Sequence, residues 1–254
     1  MKIRVGSLLD LSTVDYPEHI TFMLFCSGCN FRCPFCQNAS LVSRDFGGEI
    51  ELEMVEERAQ ASLGFLDALG FTGGEPTLQP EPIIALCVWA RARDLKTFLN
   101  TNGSNPLLIK EMVRKRLIDY VAMDVKAPFK KEVYGRVTGL GRNVSKIMAN
   151  IQESIAVCER AGLPLELRTT IVPTLIDDEQ SIREIAEAIC GYGIYVLQEF
   201  FPSDDVPDEN LRKVKPPDRE ALIRLAKTAL EAGVREVHIR TRSGGMERIS
   251  SSAR

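Results

Sequence analysis

Four of the chain's seven cysteines lie close together in the segment CSGCNFRCPFC. They are Cys26, Cys29, Cys33 and Cys36, so successive cysteines are separated by two, three and two other residues. Thiolates bind soft metal ions and iron–sulfur clusters. In a reducing compartment, clustered thiols are more often metal ligands or redox groups than disulfides. The segment therefore predicts a metal or cluster site.

The spacing leaves three interpretations open. A structural zinc site would use all four thiolates, although such sites usually take their ligands from two loops with a longer spacer. Free buried thiols are a second interpretation, and Cys26 fits it best because it continues the register of an apolar strand. The third interpretation uses Cys29, Cys33 and Cys36 alone. Three thiolates can bind three irons of a 4Fe–4S cluster and leave the fourth iron without a protein ligand.

Short apolar runs alternate with amphipathic segments along most of the chain. The apolar runs predict strands within residues 19–26, 65–72, 95–103, 119–128, 165–173, 194–202 and 234–241. Repeated strand–helix units predict an α/β fold with a parallel sheet, and the strands are apolar enough to be buried on both faces. Alternation alone is compatible with a doubly wound sheet and with a full or partial barrel. We expect one domain over residues 1–254, with a core of about 17–241, and irregular segments at 126–143 and 201–216.

Three further polar segments also follow predicted strands: TGGEP, NTNGS and MDVKAP. In α/β folds of this kind, ligand sites lie at the carboxyl ends of the strands. Four polar segments at one edge of a sheet predict a single binding site there.

The cysteine pattern, with Phe35 before its last cysteine, and the GGE motif after the second predicted strand resemble the radical S-adenosylmethionine (SAM) superfamily. The resemblance implies a partial (β/α)6 TIM-like barrel. It also implies a 4Fe–4S cluster bound by Cys29, Cys33 and Cys36, with SAM chelating the open iron. In that superfamily, reductive cleavage of SAM gives methionine and a 5′-deoxyadenosyl radical, which takes a hydrogen atom from the substrate.

The same resemblance assigns roles in SAM binding to the glycine-rich segment. It implies that Gly73, Gly74 and Glu75 receive the methionine amino group. Glycine allows a close approach to the backbone, and a carboxylate accepts hydrogen bonds from an ammonium.

NTNGS and MDVKAP resemble the activating enzymes of glycyl radical enzymes. This narrower resemblance implies that Asp124 contacts the ribose hydroxyls and that Lys126 contacts the methionine carboxylate. Asn100, a further SAM-binding candidate, stands where that group often has an aspartate that helps to hold a monovalent cation, and because asparagine lowers the local negative charge the resemblance does not carry this cation over to the chain. Arg168, in RTTIVP, is a further SAM-binding candidate, and its alternative is an ion pair with Glu166 or Asp124.

The segments STVDYP, CNFRCPFCQN and YVLQEFFP resemble the activating proteins of anaerobic ribonucleoside-triphosphate reductases. The implied reaction removes a hydrogen atom from a glycine of that partner, with an electron from a low-potential donor. Asp15 and Tyr16 are then expected to border the substrate entrance, and the alternative is that they form a capped surface turn. The alternatives are another glycyl radical enzyme as the partner, a small-molecule substrate as in the 7-deazaguanine-forming enzymes, and a non-enzymatic metal-binding module.

The overall charge and the remaining cysteines narrow the expected function. A net charge of −3 gives no electrostatic signature for nucleic acid or for an anionic membrane. No stretch reaches the length of a membrane span, and charges come too early for a signal peptide. We therefore expect a cytoplasmic, anaerobic enzyme.

Cys87, Cys158 and Cys190 lie in helical apolar runs and are expected to be buried.

Overall fold

The structure, a computed structural model, describes residues 1–250 of the chain. It divides into two compact units, each of which combines several stretches of the sequence. The first unit contains residues 1–30, 38–122 and 150–164, and the second contains residues 31–37, 123–149 and the described residues from 165 onward. The expected single domain over residues 1–254 stays a prediction.

The first unit is built on strands that end beside the cysteine segment. Its elements are β1 (Lys2–Ser12), β2 (Thr21–Cys26), β3 (Glu49–Glu51), α1 (Leu52–Ala61), β4 (Ala68–Gly73), α2 (Pro80–Arg91), β5 (Lys96–Thr101) and α3 (Pro106–Arg114). The strand order is β3-β1-β2-β4-β5. β2, β4 and β5 are parallel, whereas β1 is antiparallel to both β2 and β3. Cys26 pairs with Gly73, so β2 and β4 end at the same level.

The second unit continues the strand–helix alternation. β6 (Tyr120–Asp124) begins in the first unit and ends in the second. The elements that follow it are α4 (Lys131–Thr138), α5 (Val144–Arg160), β7 (Leu165–Ile171), α6 (Glu179–Ile189), β8 (Ile194–Glu199), α7 (Arg219–Glu231), β9 (Val237–Thr241) and β10 (Gly245–Ile249). α5 begins in the second unit and ends in the first. The strands of this unit pair in the order β7-β8-β9-β10. β7, β8 and β9 are parallel, and β10 is antiparallel to β9.

Burial along the parallel strands confirms the interpretation of their apolar runs. Phe22, Met23 and Leu24 of β2 are completely buried, as are Tyr195, Val196 and Leu197 of β8. Successive strand residues point to opposite faces, so three consecutive buried residues mean that both faces are covered. Among the helices of residues 1–250, none combines the length and the apolar character that a bilayer-spanning helix needs.

Four elements were not predicted from the sequence. β1, β3 and β10 lack a long apolar run, because β1 alternates buried and exposed residues and the other two are short and largely exposed. α4 lies inside the segment 126–143, which was expected to be irregular. That expectation is wrong, since eight residues there form a helix whose buried face includes Tyr134 and Val137. In segment 201–216, the predicted irregular structure is interrupted only by a 3-10 turn at Leu211–Lys213.

The STVDYP segment lies at the opposite end of β2 from the cysteines. β1 is antiparallel to β2, and Ser12 pairs with Thr21 at the start of β2, whereas Val5 pairs with Cys26 at its end. Five strand residues separate these two levels by about 17 Å. A segment that directly follows Ser12 therefore lies at the amino ends of the parallel strands.

Tyr16 confirms this position through its neighbours. Its ring is 6% exposed and stacks on Phe98 and on His19, at centroid distances of 5.6 and 4.1 Å. Asp15 accepts a hydrogen bond from the Ser12 hydroxyl at 2.6 Å. The expectation that Asp15 and Tyr16 border the substrate entrance is therefore wrong. The segment is close to the cysteines in sequence, but a complete strand lies between them.

The prediction for the isolated cysteines is confirmed for two of the three. Cys87 and Cys158 are buried, but Cys190 is exposed. α6 ends at Ile189, so Cys190 is the residue after the helix and leaves its buried face. Its thiol instead donates to the Glu187 carbonyl oxygen at 3.2 Å.

Asn105 caps the amino end of α3 with its side chain. Its side-chain oxygen accepts from the Leu108 N–H at 3.3 Å, and its amide nitrogen donates to the Thr77 carbonyl oxygen at 2.9 Å.

We expect Asn105→Ala to lower the free energy of unfolding by about 1 kcal/mol or more, because it removes the cap and a second hydrogen bond. Urea unfolding measures this loss, with the exposed Leu107→Ala as the control. Equal midpoints for the two variants would contradict the prediction.

Candidate functional site

The glycine pair after β4 lies directly against the cysteine segment within the first unit. The Gly74 N–H donates to the Cys26 carbonyl oxygen at 2.8 Å, and the Glu75 N–H donates to the Gly28 carbonyl oxygen at 2.8 Å. A Cβ atom on Gly73 would lie 2.4 Å from the Cys26 nitrogen. One on Gly74 would lie 2.2 Å from the Gly28 oxygen. Gly73 also has a φ of +111°, so both positions require glycine.

The Glu75 carboxylate is completely buried and binds protein donors. Oε1 accepts from the Thr77 N–H at 3.0 Å, from the Thr77 hydroxyl at 2.6 Å and from the Thr101 hydroxyl at 2.7 Å. Oε2 accepts from the Asn102 N–H at 2.7 Å. Burial raises the pKa of Glu75, and these hydrogen bonds oppose the rise. Glu75 therefore joins the end of β4 to the loop after β5, and its contact with the amino group of SAM stays a prediction.

The loop after β5 connects back to the cysteine segment. The Asn102 side-chain nitrogen donates to the Asn30 Oδ1 at 2.8 Å, and the Asn30 side chain donates to the Ser104 hydroxyl at 2.8 Å. Asn30 directly follows Cys29 in the sequence. The hydrogen bonds therefore form a closed path from Gly28 through Glu75 and Asn102 to Asn30. This path fixes the backbone on both sides of Cys29.

The side chain of Asn100, in the first unit, has a hydrogen-bond acceptor without a partner. Its side-chain nitrogen donates to the Thr72 hydroxyl at 3.0 Å. Its side-chain oxygen, Oδ1, is buried and has no hydrogen-bond partner among the described residues. An unpaired buried acceptor is costly, so a ligand that brings an N–H or an ammonium group to this oxygen would be favoured. The amino group of SAM is a donor of this kind, and Asn100 fits it.

Lys126 lies beside two of the cysteines in the second unit. Its ammonium donates to Asp124 Oδ2 at 2.9 Å and lies 5.8 Å from the ring centre of Phe35. Burial alone lowers the pKa of Lys126, but the Asp124 carboxylate raises it. Negative charge on Cys33 and Cys36 raises it further, above its ordinary value. Lys126 therefore keeps its positive charge beside these two cysteines.

The four cysteines differ in burial. Cys26 is completely buried, and burial raises the pKa of its thiol to about 12. It behaves as a small apolar side chain, as its strand register predicts. Cys29 and Cys36 are half-buried and Cys33 is buried, and the Cys36 N–H donates to the Cys33 carbonyl oxygen at 3.2 Å.

The donor chemistry of the remaining three thiols fits an iron–sulfur cluster. In residues 1–250, no three His, Cys, Asp or Glu side chains are grouped closely enough to hold one metal ion. A 4Fe–4S cluster has a different requirement, because each thiolate binds a different iron. Cys29, Cys33 and Cys36 supply three such thiolates, and Lys126 supplies a positive charge beside two of them.

Arg168 is paired within its own strand. Its Nε donates to Glu166 Oε1, and both side chains are at least 95% buried. Arg240 approaches the same oxygen at 3.8 Å. The ion pair between Arg168 and Glu166 was one of the two interpretations of this arginine, and it is confirmed. Contact of Arg168 with SAM stays a prediction.

Sequence comparison places the chain among known proteins. The family model of the Radical SAM superfamily matches residues 23–180. A protein of Methanocaldococcus jannaschii named "Putative glycyl-radical enzyme activating enzyme" is 34% identical over 247 residues, which cover 97% of this chain and all of that protein. The chain belongs to the glycyl-radical enzyme activating family of the radical SAM superfamily. Members of this superfamily use a 4Fe–4S cluster and SAM.

More distant matches include another activating enzyme and a solved structure with a similar fold. The pyruvate formate-lyase-activating enzyme of Clostridium pasteurianum is 27% identical over 190 residues, covering 73% of this chain and 76% of the relative. The crystal structure of a radical SAM methyltransferase from Sphaerobacter thermophilus matches with a TM-score of 0.69 at 15% identity, covering 89% of this chain and 67% of that structure. The predicted fold class, an α/β fold of the partial TIM-like radical SAM type, is confirmed.

Replacement of each clustered cysteine by alanine tests the three-ligand interpretation. After anaerobic reconstitution, we expect the Cys29→Ala, Cys33→Ala and Cys36→Ala proteins to lose most of their iron and sulfide. Cys26→Ala should retain both, because its buried thiol is not a ligand. Iron and sulfide analysis with the visible spectrum gives the answer. Loss of iron from Cys26→Ala as complete as from the other variants would show that all four cysteines are ligands.

Substitution of Glu75 tests the link between the loops. Glu75→Ala leaves buried donors unpaired, so we expect the free energy of unfolding of the apoprotein to fall by about 3 kcal/mol or more. Urea unfolding checks this value, and the exposed Glu81→Ala on α2 is the matched control. Glu75→Gln keeps the size of the side chain and should lose less stability.

In the folded Glu75→Gln protein we also expect weaker SAM binding at near-normal iron content. Titration of the reconstituted protein with SAM measures this affinity. Unchanged affinity would remove Glu75 from the site.

Proposed function

We propose that this chain activates a glycyl radical enzyme by removing a hydrogen atom from the Cα of one glycine in that partner. The observation that carries the proposal is the similarity to the M. jannaschii relative, which extends over 97% of the chain. When bound, the 4Fe–4S cluster and SAM together supply the reductive chemistry that generates a hydrogen-abstracting 5′-deoxyadenosyl radical. Cys29, Cys33 and Cys36 would hold the cluster.

The polar residues of each unit support separate roles in holding SAM. The Lys126 ammonium has three hydrogens and uses one for Asp124, so the others are available to the methionine carboxylate. Asp124 orients this lysine, and its second carboxylate oxygen is available to the ribose hydroxyls. The unpaired Oδ1 of Asn100 accepts from the methionine amino group. Gly73 and Gly74 keep the neighbouring backbone free of side chains.

Within this class of partner, we propose the anaerobic ribonucleoside-triphosphate reductase. Support comes from the cysteine segment CNFRCPFCQN and from YVLQEFFP, both of which resemble the activating proteins of that reductase. The third segment of the resemblance, STVDYP, gives no support for a contact with the partner at the site, because it lies at the amino end of β2. An external low-potential donor supplies one electron per turnover.

Isotope transfer tests both the class of substrate and the partner. The reconstituted protein is incubated with SAM, a reductant and the candidate reductase, in which glycine carries deuterium at Cα. We expect deuterium in the 5′-deoxyadenosine product and a glycyl EPR doublet that collapses on deuteration. A reductase with its radical-bearing glycine replaced by alanine is the control, and it should give neither signal.

A second partner separates the alternatives. If pyruvate formate-lyase accepts the radical and the reductase does not, the activating function stands and the proposed partner is wrong. If SAM is cleaved slowly and at the same rate with every glycyl radical protein of the host, the activating function is wrong. A small-molecule substrate is then the better explanation.

A further inference from the structure

Helix α4 is docked on the cysteine segment within the second unit. The Arg32 N–H donates to the Thr138 carbonyl oxygen, in the last turn of α4, at 2.8 Å. Gly139, which ends the helix with a φ of +65°, lies so close that a Cβ atom would be 2.3 Å from the Arg32 oxygen. Arg32 immediately precedes Cys33. The position of α4 is therefore fixed relative to Cys33 by backbone contacts.

Tyr134, in the middle of α4, has a hydroxyl group without an acceptor. The residue is completely buried, and its ring stacks on Phe129 at a centroid distance of 5.7 Å with an interplanar angle of 7°. Its hydroxyl is buried, and no acceptor for it exists among the described residues. Tyr195 is equally buried, but its hydroxyl donates to the Thr169 hydroxyl at 2.9 Å. A buried hydroxyl that lacks an acceptor is costly and marks the place of an absent group.

The surroundings of Tyr134 indicate which group is absent. Burial raises the pKa of Tyr134, so the hydroxyl keeps its proton and remains a donor. The charged groups that act on it are Lys126, Cys33 and Asp124, and the Lys126 backbone N–H also lowers its pKa as a donor towards the hydroxyl oxygen, which leaves the hydroxyl proton without an acceptor. Lys126 has no acceptor in its side chain, and Asp124 already accepts from Lys126. Cys33 is a proposed cluster ligand, so a bound cluster would bring inorganic sulfide and thiolate sulfur to this side of α4.

We propose that the Tyr134 hydroxyl donates a hydrogen bond to a sulfur atom at the Cys33 corner of the 4Fe–4S cluster and raises its reduction potential. The inference rests on the proposed function, because it requires Cys33 to bind the cluster. A hydrogen bond to sulfur stabilises the additional negative charge of the reduced cluster. Tyr134 is a positioning residue in this role. It transfers no proton, and the single electron comes from an external reductant.

Tyr134→Phe removes only the hydroxyl, and Tyr195→Phe is the matched control. Both proteins and the wild type are reconstituted anaerobically, analysed for iron and sulfide, and titrated with titanium(III) citrate while EPR follows the reduced cluster. We expect Tyr134→Phe to make reduction about tenfold less favourable, a shift of about 59 mV to more negative potential for one electron. Tyr195→Phe should leave the potential unchanged.

Thermal unfolding of the apoproteins separates this role from a structural one. Tyr134→Phe should lose less stability than Tyr195→Phe, because the Tyr134 hydroxyl donates to no acceptor in the apoprotein. Tyr195→Phe should have a lower Tm, because it breaks an existing hydrogen bond. A Tm for Tyr134→Phe that falls as far as that of Tyr195→Phe would overturn the proposal.

The potential itself gives the decisive result. An unchanged potential in a fully loaded Tyr134→Phe protein would overturn the inference and leave the proposed function intact. Failure of the wild type to bind a cluster would overturn both. If Tyr134→Phe does not assemble a cluster, incorporation of 3,5-difluorotyrosine at position 134 provides the second test. Its more acidic hydroxyl should shift the potential to more positive values, and no shift would contradict the proposal.

Discussion

The contact between the glycine pair and the cysteine segment is the constraint on which the first unit's part of the site depends. Two backbone segments approach so closely at Gly73 and Gly74 that neither can carry a side chain. This approach places the next residue, Glu75, in the interior, where its carboxylate orders the loop after β5. That loop then returns a hydrogen bond to Asn30. The backbone around Cys29 is thus held from two sides before any cofactor is bound.

In the second unit, electrostatic interactions hold the polar residues of the site in place, as close backbone packing does in the first. Lys126 lies among the negative groups Asp124, Cys33 and Cys36, and their combined effect outweighs the cost of burying its charge. A partly buried ion pair is retained most easily when each charge has several partners. The lysine therefore stays charged beside Cys33 and Cys36, the two cysteines that lie in the same unit.

The sequence predicts those features that depend on local pattern. Apolar runs identify the parallel strands, and the cysteine spacing with the GGE motif identifies the superfamily. It does not predict β1, whose residues alternate in burial, or α4, which is too short to show a clear helical period. Long-range partners are also beyond local pattern: two of the four donors to Glu75 are Thr101, at the end of β5, and Asn102, which follows it, 26 and 27 residues away. Tyr134 was not predicted as a functional residue for the same reason, because only the fold shows that its buried hydroxyl lacks an acceptor.

The position of Tyr16 limits what can be inferred from the presence of the STVDYP segment in related proteins. Tyr16 packs against Met23, Ala68 and Phe98, residues of three neighbouring strands, and seals the sheet at the end away from the cysteines. Selection on such a residue acts on packing, whatever molecule is bound at the other end. Enzymes that diverged in substrate can therefore keep STVDYP, and enzymes that share a substrate can lose it. A shared STVDYP segment therefore indicates a shared way of packing the sheet and does not by itself identify a shared substrate.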